Sequence, residues 1–132
     1  MPRPMDDKLL PVRTDAVAPD GSHVRLLCET GGGSMAHFEL GPGQVSRPVR
    51  HRTVEEIWYV LSGLGVMWRR EPDGSERETD LRPGLALTIP TGTSFQFRNT
   101  GRTPLEAVGV TMPPWPGENE AIPAEGPWPP SV

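Results

Sequence analysis

The sequence predicts an all-β domain, a sandwich or closed barrel, that ends in an extended proline-rich tail. Three observations carry this expectation. Apolar runs are short and closely spaced, and each is bounded by glycine or proline. The 15 glycines and 17 prolines make up about a quarter of the 132 residues, which is hard to combine with long helices. No stretch shows a sustained helical period.

The elements follow in chain order. Residues 1–21 read as an N-terminal arm. Ser22 to Thr30 is a strand that stops at three glycines, and Ser34 to Leu40 is a second, ended by Gly41-Pro42-Gly43. Glu55 to Leu61 is the most β-prone stretch, and Ser62-Gly63 leads into Leu64 to Arg70. A turn at Glu71 to Gly74 joins this to a polar strand, Ser75 to Thr79, as a hairpin. Leu85 to Ile89, Ser94 to Arg98 and Leu105 to Met112 complete about eight strands, spaced as in a barrel or sandwich. Residues 22–112 therefore form the domain. Residues 113–132 hold seven of the 17 prolines, which keeps them from being a central strand. Trp115 and Trp128 suggest that this tail packs on its own barrel or on a second subunit.

Bulk properties exclude several partners. A net charge of −4 and a pI near 5.3 argue against nucleic acid, whose phosphates call for a basic surface. The first residues lack the basic and apolar pattern of a signal peptide, and no apolar run is long enough to cross a membrane, so a cytoplasmic protein is expected. Cys28 is the only cysteine, which removes intrachain disulfides and CxxC chemistry, and its neighbours Leu26 and Leu27 place it in the core. Twelve of the 13 basic residues are arginine, so the cluster Arg47, Arg50, His51 and Arg52 reads more readily as a solvated edge than as an anion site.

Two spaced patterns concern function. The first is Gly43, five residues, Val49-Arg50-His51, four residues, Glu56, six residues, Gly63; the second is Gly84, five residues, Pro90-Thr91-Gly92, two residues, Phe95, three residues, Asn99. Together they resemble the two signature motifs of the cupin family. The resemblance implies a cupin jelly roll, a double-stranded β-helix barrel, and a homodimer. It also implies a divalent metal held by three histidines and a glutamate. Here His51 and Glu56 match two of those positions, while Val49 and Phe95 stand where the other two histidines would be. Neither replacement has a lone pair, and a catalytic ion generally needs at least three protein ligands, so a divalent metal stays possible but would be held weakly, and no cofactor is predicted. His37, on the preceding strand, is the remaining candidate for a third ligand beside His51 and Glu56.

Strand alternation defines the remaining lining. With Glu56 inward, Trp58 shares its face, and Phe95 brings Phe97 with it. Val49, Trp58, Phe95 and Phe97 would then surround His51 and Glu56 in an apolar small-molecule pocket, unless the aromatic rings simply fill the barrel. Three functions stay open. His51 and Glu56 act as a metal-independent acid/base pair on a small, partly apolar metabolite, as an isomerase or cyclase would. Alternatively the barrel binds or senses a ligand without chemistry. The third is a metal-dependent oxygenase using His51, Glu56 and His37.

Overall fold

The computed structural model describes residues 3–132, which contain eleven strands and no helix. The strands are β1 (Ala16–Val17), β2 (His23–Glu29), β3 (Ser34–Leu40), β4 (Val49–His51), β5 (Glu55–Ser62), β6 (Gly65–Arg70), β7 (Glu76–Leu81), β8 (Ala86–Ile89), β9 (Ser94–Asn99), β10 (Leu105–Met112) and β11 (Ala121–Pro123). They form two antiparallel sheets, one ordered β1-β2-β3-β10-β5-β8 and the other β11-β4-β9-β6-β7. Sequence neighbours repeatedly fall in different sheets, as the two layers of a jelly roll require. Among the described residues there is no helix long and apolar enough to cross a membrane.

Alternation assigns the inner faces. In β5 the burial of Glu56, Trp58 and Val60 alternates with the exposure of Glu55, Ile57, Tyr59 and Leu61. β10 lies between β3 and β5, with Leu105 opposite Leu40, Ala107 opposite Phe38 and Val60, and Gly109 opposite Ala36 and Trp58. These registers stack the interior in layers. Leu40, Leu105, Val60, Met67 and Phe97 fill one end, while Ala36, Trp58, Val49 and Phe95 lie toward the other.

The turns follow the motif residues. Gly43, Gly63, Gly84 and Gly92 all have positive φ, the region that favours glycine. At Gly63 a Cβ would also stand 2.5 Å from the Pro104 carbonyl oxygen. Asn99 ties two connections together through Nδ2, which donates to the carbonyls of Leu40 (3.0 Å) and Thr103 (2.8 Å).

Three short strands were not expected from the sequence: β1 in the arm, β4 and β11. Two or three residues are too few to show an alternation. β11 pairs with β4 at the edge of the smaller sheet, an edge place that its Pro123 tolerates. Beyond it the tail crosses the outer face of that sheet. The buried Gln96 exchanges hydrogen bonds with the Trp128 backbone, and the Arg98 guanidinium lies 4.4 Å from the centre of the Trp128 ring. On the larger sheet Met35, Ile57, Tyr59 and Leu61 of the outer face are each about two-fifths exposed or more. Cys28, expected in the core, is only half-buried, with Sγ 3.8 Å from the Asp6 carbonyl oxygen, because the register shift in β2 turns it away from the interior.

Candidate functional site

A cavity of about 560 Å³ opens between the sheets. The larger sheet supplies Ala36 and Phe38 from β3, Glu56 and Trp58 from β5, and Thr111 from β10. The smaller sheet supplies Val49 and His51 from β4 and Phe95 from β9. The arm closes one side through Ala16 to Asp20, and Trp115 of the tail adds another wall. A volume of this size suits a small organic ligand.

Its aromatic wall is interlocked. Phe38 stacks on Trp58 with ring centres 4.9 Å apart, and Phe95 and Phe97 meet the Trp58 ring edge-on at 6.3 and 5.2 Å. The stack needs a glycine beneath it. A Cβ on Gly109 would stand 2.9 Å from Phe38 Cε2 and 3.0 Å from Trp58 Nε1. His51 in turn has Phe95 and Trp115 edge-on at 5.3 and 5.2 Å.

Glu56 and His51 are both 4% exposed. One Glu56 oxygen accepts the indole N–H of Trp58, and the other accepts the Thr111 hydroxyl at 3.3 Å. His51 Nδ1 lies 3.5 Å from Glu56 Oε1 without hydrogen-bond geometry, and has no other partner. Burial pushes the Glu56 carboxyl up to about 7, assisted by the charge of Asp20 and opposed by its two hydrogen bonds. Burial also lowers His51 to about 4, against the charge of Glu120. Near neutrality the imidazole is therefore uncharged, and the carboxyl sits close to its midpoint.

Glu120 belongs to the tail and fastens it beside His51. Its carboxylate accepts the Thr53 amide (2.6 Å), the Thr53 hydroxyl (2.5 Å) and the Val54 amide (2.9 Å). Burial pushes this carboxyl up, but those three donors outweigh it and hold the group below its ordinary value. Trp115 is anchored separately, its amide donating to Ser34 Oγ at 2.9 Å.

The structure brings together five of the six residues expected around the pocket: His51, Glu56, Val49, Trp58 and Phe95 all line it. Phe97 does not. It has the inward parity expected, but β9 carries it one layer deeper, opposite Met67, where it packs in the core. His37, the remaining candidate for a third ligand, lies away from His51 and Glu56. Its neighbours Ala36 and Phe38 line the cavity, so His37 points through the other face of β3, where Nε2 lies 2.9 Å from Glu106 Oε1. The residues present do not fit the family's metal. The donors at the four family positions are His51 and Glu56 alone, and among the described residues no three His, Cys, Asp or Glu side chains converge.

Sequence reasoning missed Phe38, Asp20, Thr111 and Gly109. The only available signal was Gly109, a lone glycine inside a strand, which often marks a close approach.

Residues 36–111 match the family model described as Cupin domain. An uncharacterized protein of Methanocaldococcus jannaschii, MJ1618, is 27% identical over 124 residues, which span 87% of this chain and 95% of that protein. The capsular polysaccharide assembling protein CapF of Staphylococcus aureus superposes with a TM-score of 0.72 at 20% identity, over 83% of this chain and 33% of CapF. Recombinant oxalate oxidase in complex with glycolate gives 0.67 at 23% identity, over 81% of this chain and 60% of that one. This chain thus spans about a third of CapF, and both likenesses are of fold.

Proposed function

Because the chain belongs to the cupin family, we propose that it binds a small, partly apolar metabolite and moves a proton on it with His51 and Glu56, without a bound metal. The observation that carries this reading is the unpartnered Nδ1 of His51, held 3.5 Å from Glu56 inside an aromatic cavity. A buried polar atom without a partner is costly, and a pair kept for structure would close the gap. The neutral imidazole takes a proton from the substrate, and the Glu56 carboxylic acid returns one at a second position, an isomerisation or ring closure in overall effect. The imidazolium and carboxylate so formed reset by passing a proton from Nδ1 to Oε1.

The test is incubation with small apolar metabolites in deuterated water, followed by mass and NMR detection of product and of deuterium on carbon. Wild-type protein is expected to show turnover or exchange with at least one metabolite that binds. Both signals should fall by about 10²–10⁴-fold in His51→Ala and Glu56→Gln. A ligand that binds without turnover or exchange in any of the three proteins supports the sensor reading. A stoichiometric, tightly held divalent metal after reconstitution contradicts the metal-independent one.

The open face of the larger sheet supports a homodimer. Ile57 and Tyr59 lie opposite Val110 and Val108 there, with Met35 beside Val110, as one apolar surface. Sedimentation should give a dimer for the wild type and a monomer for Tyr59→Glu.

A further inference from the structure

The charges around the cavity are lopsided, and they point to the kind of ligand it holds. Its lining contains five ionisable side chains: Lys8, Asp20, Glu29, His51 and Glu56. Two of these lie outermost. Glu29 is exposed and paired with Arg3, and Lys8 lies on the exposed arm. Inside remain two buried carboxyls, Asp20 and Glu56, and one buried imidazole. None of the twelve arginines, all of them among the described residues, lines the cavity. The nearest cationic influence on Asp20 is Arg47, an exposed side chain whose Nε donates to the Val132 carbonyl oxygen at 2.8 Å.

Asp20 is held differently from Glu56. Its Oδ1 accepts both the amide (2.9 Å) and the hydroxyl (2.6 Å) of Ser22, which fixes the carboxyl at the end of the arm segment that forms one wall of the cavity. Burial raises its pKa, outweighing these two bonds, so the charged form is poorly solvated where it stands and a cation in the cavity would favour it. A cation is what such an anion lacks. The walls are compatible with the same sign of charge, because Phe38, Trp58, Phe95 and Trp115 all line the cavity and aromatic rings are the apolar groups that best accept a cation. An anionic ligand would meet two buried carboxyls and these rings, with the exposed Lys8 at the rim as the one lysine or arginine of the lining.

We infer that the cavity takes an organic cation, an amine with a compact apolar body, whose ammonium group sits against Asp20 among the aromatic faces while its body lies beside Glu56 and His51. This deepens the proposed function and rests on it, since it assumes that the cavity is a small-molecule site. It also divides the labour between the two carboxyls. Asp20 binds the charge, and Glu56 keeps the proton it needs for transfer.

The test uses benzylamine, benzyl alcohol and benzoate, three probes of similar shape and different charge. Each is titrated into the intact protein at neutral pH, with the indole N–H signals of Trp58 and Trp115 as reporters. Benzylamine is expected to bind at least tenfold more tightly than benzyl alcohol, with benzoate the weakest. Asp20→Asn keeps an oxygen for Ser22, and it should erase the preference for the amine, so that benzylamine binds the variant no more tightly than benzyl alcohol does; an unchanged circular dichroism spectrum certifies that the variant is folded. Binding of benzoate or the alcohol as tight as that of the amine overturns the cation inference and leaves the small-molecule site standing. If no probe moves either indole signal, the inference and the site both fall.

Discussion

Two buried histidines lie in this barrel, each beside a glutamate, and they are built differently. His37 is 1% exposed and satisfied. Its Nε2 meets Glu106 Oε1 at 2.9 Å, its Nδ1 faces Arg25 at 3.4 Å, and the same glutamate accepts the Ser62 hydroxyl at 2.9 Å through its other oxygen. His51 is 4% exposed and left open. Its Nδ1 has no partner, its glutamate stands 3.5 Å away, and that glutamate is occupied by Trp58 and Thr111. The difference separates structure from chemistry. His37 sits in a hydrogen-bonded network with a partly exposed carboxylate, whereas His51 and Glu56 share an aromatic cavity in which burial disfavours both as ions.

The sharpest way to break this contrast is to remove each histidine in turn. Once a substrate is identified, His51→Ala should reduce turnover by about 10²–10⁴-fold while His37→Ala leaves it unchanged. Equal losses would erase the distinction.

The pH dependence of stability tests the same point with no substrate. The folded-state pKa of His51 is lowered from 6.5 to about 4, so protons favour the unfolded chain and stability rises with pH across that interval. The folded-state pKa of Glu56 is raised from 4.5 to about 7, so the folded chain holds its proton longer and stability falls as pH rises through that window. In the wild type the two slopes oppose each other where the windows overlap. Glu56→Gln should expose the rising slope and His51→Gln the falling one, each roughly 3 kcal/mol at about 1.4 kcal/mol per pH unit. Denaturant midpoints measured along a pH series would show slopes of opposite sign; slopes of the same sign would contradict the account.

Smaller effects belong to the satisfied pair and the surface. His37→Ala should cost about 1–3 kcal/mol by removing a buried hydrogen-bonding partner of Glu106, read by urea unfolding. The exposed Arg3 to Glu29 pair supplies a floor for comparison, and Arg3→Ala should cost about 0–1 kcal/mol.

The contrast between the histidines was only half legible in the sequence. Alternation in β5 placed Glu56 and Trp58 on one face, and motif spacing set His51 beside them, because turn glycines and strand parity are local properties. Parity also placed His37 opposite Phe38, once Phe38 was known to face inward. Depth was not legible. Phe97 shares the face of Phe95 but lies a layer deeper, since depth depends on which strand lies across the barrel. The same limit hid Asp20, Thr111 and Gly109, which reach the cavity through pairings between distant segments. Trp115 was visible as a packing residue, but its place against His51 depends on the tail crossing back, fastened by Glu120.

The most direct measurement is the titration of His51 itself, by imidazole nitrogen chemical shifts in protein labelled at histidine. The ring is expected to stay neutral until the pH falls to about 4. A ring that protonates at or above its ordinary 6.5, as the cation of a stable ion pair with Glu56, would contradict it.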